Sequence, residues 1–102
     1  MNDFGISTKS YDEILKAFTR FPEVEEVIIF GSRAKGNYKK GSDIDLAIKG
    51  KNCNSVTALN IATMLNEEIP IPYHVDVVAL DDLNHLELKE HILRVGKLFL
   101  KN

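Results

Sequence analysis

The chain has 102 residues, 44% of them hydrophobic and 27% charged, with a formal net charge of −2 at pH 7. This length and composition predict one globular domain spanning residues 1–102. The acidic balance argues against a protein whose main task is to grip a nucleic-acid backbone, so stable nucleic-acid binding is not expected. No apolar run reaches the length of a membrane span, and Cys53, the only cysteine, cannot form an internal disulfide. We therefore expect a cytoplasmic protein.

The first half of the chain predicts a helix, a strand and a loop. Apolar residues recur at helical spacing over residues 10–20, and Pro22 ends that helix. A buried strand is predicted over residues 24–30, and Gly31 and Ser32 break it. Residues 32–35 can start a short helix, and residues 37–41 form a loop.

The second predicted strand, residues 43–49, carries the most informative pattern. Its alternation places Asp43 and Asp45 on one face and the apolar residues Ile44, Leu46 and Ile48 on the other. A helix over residues 55–69 follows, and Pro70 and Pro72 stop it. The side of this helix predicted to face the core is made of Val56, Leu59, Ala62, Leu65 and Ile69.

The last third predicts a strand over residues 73–80, a helix over residues 82–95 and a short strand over residues 97–100. Asp81 or Asp82 would cap the helix. The side predicted to face the core is made of Leu83, Leu86, Ile92 and Val95.

This order of elements predicts an α/β (α+β) fold with a small mixed sheet and helices packed mainly on one face. The first two strands are joined by a short connection and can be antiparallel. A helix joins the second and third strands, which favours parallel neighbours and a right-handed crossover. That crossover would bring Asp76 beside Asp43 and Asp45.

Three clustered carboxylates are suited to a divalent cation. Their mutual repulsion raises a pKa unless a cation neutralises it, and hard oxygen ligands suit Mg²⁺. We expect Asp43 and Asp45 to bind metal, and Asp76 either to bind metal or to act as a general base. His74 shares a face with Asp76 by alternation and could flank the site, although a polar edge residue is an equal alternative.

The turn after the first strand is suited to phosphate. Glycine at position 31 lets the backbone approach a phosphate closely, and the Ser32 hydroxyl can donate to its oxygens. Arg33 and Lys35 follow, and the Lys39/Lys40 pair lies in the same connection without an assignable role. A Gly-Ser turn or an Asp-x-Asp pair alone is usually structural, and only their conjunction on this pattern of elements indicates nucleotide transfer.

The segments Ile29-Phe30-Gly31-Ser32-Arg33-Ala34-Lys35-Gly36 and Ser42-Asp43-Ile44-Asp45-Leu46 resemble the Gly-Ser-x10-Asp-x-Asp motif of the DNA polymerase β-like nucleotidyltransferase superfamily. The resemblance covers nearly the whole chain. The chain is also similar in size to a minimal nucleotidyltransferase. It implies a polymerase β palm-like fold, catalysis and metal binding by Asp43, Asp45 and Asp76, and nucleotide binding by Gly31, Ser32 and Arg33. It also implies two Mg²⁺ ions and ATP as the substrate.

Minimal members of this family commonly act as the antitoxin of a HEPN-domain toxin. The resemblance therefore implies transfer of AMP from ATP to a tyrosine of the partner, which silences an RNase. This chain contains no Arg-x(4–6)-His-x-Tyr segment, the signature of the HEPN partner, so the acceptor would be another chain. A homo- or hetero-oligomer is compatible with this.

Two other functions stay open at this point. One is a non-catalytic antitoxin that binds its partner by contact alone. The other is a transferase that acts on a small molecule such as an antibiotic, with a second chain completing the acceptor site. Template-directed polymerisation is not expected, since no domain is left to hold a duplex.

Overall fold

A computed structural model describes residues 2–102 of the chain. Four strands form a single sheet in the order β3-β2-β1-β4, and the helices pack around it. In chain order the elements are α1 (Thr8–Phe18), β1 (Glu26–Phe30), α2 (Gly31–Lys35), β2 (Ile44–Lys49), α3 (Ser55–Glu67), β3 (Val75–Ala79), a 3₁₀ turn (Leu80–Asp82), α4 (Leu86–Val95) and β4 (Lys97–Lys101).

The sheet is mixed, as the sequence predicts. β1 pairs antiparallel with both β2 and β4, and β2 pairs parallel with β3. The parallel pair is joined through α3, which is the crossover that parallel neighbours require. Because β2 lies at the centre of three paired strands, its polar residues meet residues from both of its neighbours.

The two faces of the sheet have separate cores. The larger core lies under α1 and α3 and includes Ile44, Leu46 and Ile48 of β2, all fully buried. The smaller core includes Ala47 of the same strand and Ile92 of α4. Burial of each large aliphatic side chain stabilises the fold by about 1.5–3 kcal/mol. The helices therefore cover mainly one face, as predicted, and α4 alone covers part of the other.

Side-chain caps decide where the helices begin. The Ser7 hydroxyl accepts a hydrogen bond from the Ser10 amide at 3.2 Å, so α1 begins at Thr8, two residues earlier than predicted. Asn54 accepts from two amides of the first turn of α3. The ends of the strands differ from the prediction by two residues or fewer.

The predicted buried side of α3 is wrong for two residues. Val56 is 61% exposed and Leu59 is 65% exposed. The residues of α3 that are buried are Ala58, Ile61, Met64 and Leu65. At about 100° per residue the predicted set spreads over about 180° of the helix, whereas the observed set lies within about 120°, which fits one buried face.

The predicted start of the last helix is also wrong. α4 begins at Leu86, and the ring of His85 caps it by accepting from the Leu88 amide at 3.0 Å. Asp82 instead accepts from the Ser55 amide at the start of α3. Leu86, predicted to face the core, is 70% exposed because Leu88, Ile92 and Val95 form the side of α4 that meets the smaller core, and Leu86 lies about 200° around the helix from Leu88.

Within residues 2–102, the helices are all too short or too polar to cross a membrane.

Candidate active site at one edge of the sheet

The pairing register brings the predicted site residues together at one end of the strands. Phe30, the last residue of β1, lies opposite Asp45, and Asp45 lies beside Asp76 of β3. Gly31 follows Phe30 directly, and Asp43 precedes β2 by one residue. The Gly-Ser turn, Asp45 and Asp76 therefore follow one another across three adjacent strands, with Asp45 in the middle.

Gly31 lies directly against Asp45. Its φ is +72°, in the left-handed region that favours glycine, and a Cβ at this position would overlap the Asp45 carboxylate. Ser32 follows in the first turn of α2 and is half-buried. No side chain of residues 2–102 caps this short helix, so its first amides and the Ser32 hydroxyl are free to donate to an anion.

Asp45 has the most perturbed carboxylate of the site. Burial, together with the negative charges of Asp76 and Asp43, raises its pKa from the ordinary value of 3.8 to about 6, while His74 acts in the opposite direction. A carboxylate in this position accepts a proton or a cation near neutral pH. The electrostatics of the site therefore favour a bound positive charge.

Asp43, His74 and Asp76 form a group that fits a divalent cation. Each offers one ligand atom, and these atoms all lie within 4.8 Å of one another. His74 Nε2 lies 3.1 Å from Asp76 Oδ1, and both side chains are more than half exposed. Two carboxylate oxygens and an imidazole nitrogen are ligands that Mg²⁺, Mn²⁺ or Zn²⁺ can use, so the donor set agrees with a metal site.

From the sequence, His74 was expected only to flank this site. In the structure its ring nitrogen lies within 4.8 Å of the carboxylate oxygens of Asp43 and Asp76. The alternation of β3 was the signal that pointed to it. Asp45 is not one of these three residues. It lies beside them with its carboxylate against the Gly31 turn.

Arg33 has a different position from the one expected of a nucleotide ligand. It is 2% exposed, and its guanidinium donates to the main-chain carbonyls of Phe4, Gly5 and Ser42 at 2.8–3.2 Å. The rings of Tyr38 and Tyr73 lie over it, with centroids 5.1 and 5.0 Å from Cζ. Arg33 thus reaches the site through Ser42, which precedes Asp43, and not by facing the Gly31 turn.

Tyr38 and Tyr73 pack on Arg33 and thereby help to position it. No local sequence pattern marks a ring that will stack on a distant arginine. Lys39 and Lys40 are exposed in the loop before β2, and in the described chain neither forms an ion pair.

Comparison with known proteins agrees with this geometry. Residues 12–102 match the sequence model of the family described as polymerase beta, nucleotidyltransferase. No curated protein matches the chain.

Several solved structures are similar to this chain. A crystal structure of a toxin-antitoxin with AMP-PNP is 22% identical, with a TM-score of 0.72, over 90% of this chain and 73% of that chain. The toxin-antitoxin MntA-HepT is 19% identical, with a TM-score of 0.67, over 94% of this chain and 74% of that one. A putative nucleotidyltransferase from Sulfolobus solfataricus is 28% identical, with a TM-score of 0.59, over 91% and 78%. The first two likenesses, below 25% identity, show the fold alone.

Proposed function

This chain belongs to the polymerase beta nucleotidyltransferase family, and we propose that it transfers AMP from ATP to a hydroxyl group of a partner protein. The observation that carries the proposal is the register Phe30–Asp45–Asp76, which joins a glycine turn to a group of carboxylates. A phosphate-binding turn beside a cation site is what a triphosphate with its metal requires.

The residues divide the work of binding between them. Gly31 and Ser32 bind the triphosphate through main-chain amides and the serine hydroxyl, since both groups are free in the described structure. Asp43, Asp45 and Asp76 hold Mg²⁺, with two ions expected; His74 is grouped with Asp43 and Asp76, and Asp45 lies beside Asp76. When bound, Mg²⁺ neutralises the phosphate charge that develops during transfer.

The transfer itself is a single displacement at phosphorus. The oxygen of the acceptor hydroxyl forms a bond to the α-phosphorus of ATP, and the bond from that phosphorus to the bridging oxygen of the β-phosphate breaks. Pyrophosphate leaves, and AMP stays on the acceptor as a phosphodiester. The hydroxyl proton passes to the carboxylate of Asp76, which His74 orients at 3.1 Å.

The partner we propose is a HEPN-domain toxin, so that the chain is an antitoxin. The support is the likeness in fold to the toxin-antitoxin structures, one of them with AMP-PNP and another named MntA-HepT.

The experiment is transfer of label from α-³²P-labelled ATP, with Mg²⁺, to the HEPN-domain protein encoded beside this chain. We expect label on the partner with the unmodified chain and none with Asp43→Asn or Asp45→Asn. Both variants must unfold at the temperature of the unmodified chain or above it for the comparison to count. Labelling that persists in both folded variants contradicts the proposal.

A second candidate function is an antitoxin that acts by contact alone. The observation in its favour is the set of large apolar side chains that are more than half exposed, namely Val56, Leu59, Leu86, Leu93 and Leu98. Such side chains are typical of a protein-protein interface. This candidate predicts that Asp43→Asn/Asp45→Asn still restrains the partner at equal stoichiometry, whereas the enzyme predicts that it does not.

A further inference from the structure

We infer that a groove between α3 and the free edge of β3 binds an extended segment of the acceptor protein and delivers its hydroxyl group to Asp76. The inference rests on the proposed function and adds where the acceptor lies. The groove has a volume of about 530 Å³, and its lining includes Leu59, Ala62, Asn66, Asp76, Val77 and Leu83. It therefore shares Asp76 with the candidate active site.

The order of the strands places this groove on the side from which an acceptor must come. In an in-line displacement the attacking and leaving oxygens lie on opposite sides of the phosphorus. The Gly31 turn, which would hold the leaving phosphates, lies on the β1 side of Asp45, and Asp76 lies on the β3 side. The attacking hydroxyl then approaches from beyond β3, where the groove opens.

The edge of β3 offers main-chain groups to an added strand. In a parallel ladder alternate residues point away from the neighbouring strand, and Val75 and Val77 are the ones that do so here. The Asn66 side chain bonds both main-chain groups of Val75, its Nδ2 donating to the carbonyl and its Oδ1 accepting from the amide, each at 2.8 Å. Within residues 2–102 the amide and carbonyl of Val77 have no such partner.

Asn66 thus bonds the main chain of Val75 as a neighbouring strand would. The next outward-pointing residue of β3, Val77, has no such partner. An extended peptide entering the groove would continue this pairing with two main-chain hydrogen bonds. Val77 follows Asp76 in sequence, so a peptide that pairs with Val77 would bring one of its side chains close to Asp76, the proposed base. Such addition binds a backbone irrespective of sequence and leaves the choice of acceptor to side chains.

The walls of the groove define the chemistry of the segment. Leu59 is 65% exposed, and Ala62 and Leu83 continue the apolar surface. The titratable side chains at the groove are the carboxylates of Asp76 and Asp82 and the imidazole of His74, which bonds to Asp76, and no lysine or arginine contributes to its described lining. The occupant is therefore an uncharged or basic segment that carries a hydroxyl residue and an apolar neighbour, because an acidic segment would be repelled.

The test measures labelling of the HEPN-domain partner by α-³²P-labelled ATP at increasing partner concentration. Leu59→Glu places a charge on the apolar wall, and Val77→Pro removes the edge amide without breaking a bond of the ladder. Asn60→Glu is the matched control, since Asn60 is exposed on the same helix but outside the groove lining. Affinity for a fluorescent ATP analogue and the unfolding temperature are measured for each variant.

We expect Leu59→Glu and Val77→Pro each to raise the KM for the partner at least tenfold, with the affinity for the ATP analogue unchanged. The unfolding temperature should stay unchanged for Leu59→Glu and fall for Val77→Pro, because Val77 packs against the larger core. Asn60→Glu should leave all of these values as they are. Unchanged labelling by both groove variants overturns the inference and leaves the proposed function standing. Loss of affinity for the ATP analogue overturns it too, since the groove would then hold the nucleotide base. If the unmodified chain labels nothing, the proposed function fails and the inference fails with it.

Discussion

Arg33 donates two hydrogen bonds to the carbonyl oxygen of Ser42, from Nε at 3.1 Å and from Nη2 at 2.8 Å. Ser42 is the residue before Asp43, and Tyr73, which stacks on the same guanidinium, is the residue before His74. One buried side chain therefore fixes the entries to β2 and β3, next to Asp43 and His74 of the candidate cation site. Arg33, which follows the Gly-Ser turn, thus positions Asp43 through the main chain of Ser42 and does not itself face the turn.

Arg33→Lys should destabilise the fold by about 2–4 kcal/mol, because an ammonium group cannot replace a planar fork that bonds three carbonyls. Urea denaturation measures the change. Lys35→Ala, an exposed change on the same helix, is the control and should stay within about 0.5 kcal/mol. If Arg33→Lys were as stable as the control, the guanidinium would not hold these strand entries.

Gly31→Ala should cost more stability than Gly41→Ala. Both residues have positive φ, +72° and +88°, so both changes strain the backbone by about 1–2 kcal/mol. Only at Gly31 would the added Cβ overlap the Asp45 carboxylate, whereas nothing lies within 4 Å of it at Gly41. Relieving the overlap should cost about 1–3 kcal/mol more in urea denaturation and should weaken Mg²⁺ binding. Equal losses in the two variants would show that the turn does not press on Asp45.

The pKa of Asp45, raised to about 6, predicts a pH-dependent stability of the metal-free protein. Between its ordinary value of 3.8 and about 6, the folded chain holds a proton at Asp45 that the unfolded chain has lost. The contribution of this residue to stability therefore falls as pH rises through that window. Asp45→Asn removes the effect, so its gain in stability over the unmodified chain, measured in EDTA, should be larger at pH 7 than at pH 4.5. A gain that does not vary with pH would contradict the raised pKa.

Metal binding should follow the same titration with the opposite sign. Protons compete with a cation for Asp45, so the affinity for Mg²⁺, measured calorimetrically, should decrease as pH falls below about 6. Asp76→Asn should move the midpoint of this decrease to lower pH, because it removes a neighbouring negative charge. An affinity that does not decrease below about pH 6 in the unmodified chain would exclude Asp45 from the metal site.

His74→Ala should weaken Mn²⁺ binding by about tenfold and Mg²⁺ binding less, because imidazole is a better ligand for Mn²⁺ than for Mg²⁺. This prediction rests on the position of the ring, because its nitrogen and the carboxylate oxygens of Asp43 and Asp76 all lie within 4.8 Å of one another. His85→Asn is the control, since it keeps an acceptor at the cap of α4 far along the chain from the site. Equal losses for the two metals would make His74 an orienting neighbour of Asp76 and not a ligand.

The arrangement of the carboxylates followed from the sequence because each step rests on a strong constraint. The crossover through a helix fixes β3 as a parallel neighbour of β2, which suffices to bring Asp76 beside Asp45. The shared face of Asp43 and Asp45 stays a prediction, since Asp43 precedes β2. The mixed sheet and its antiparallel β1–β2 pair were predicted on the same grounds.

Features that depend on distant contacts did not follow. The exposed side of α3 was wrong because Val56 and Leu59 fit an apolar stripe whose real partner surface is set by the sheet. The cap of α4 was wrong because Asp82 bonds Ser55, which is 27 residues away in sequence. The burial of Arg33 was not predicted for the same reason, since it needs carbonyls and rings from four separate segments.

The most direct measurement of the central claim is the intact mass of the HEPN-domain partner after incubation with this chain, ATP and Mg²⁺. The account predicts a mass increase of one or more AMP groups with the unmodified chain and no increase with Asp45→Asn at equal concentration. An equal increase with folded Asp45→Asn would contradict the role of the carboxylates. No increase with the unmodified chain, in a mixture where the complex with the partner forms, would contradict nucleotide transfer to this acceptor.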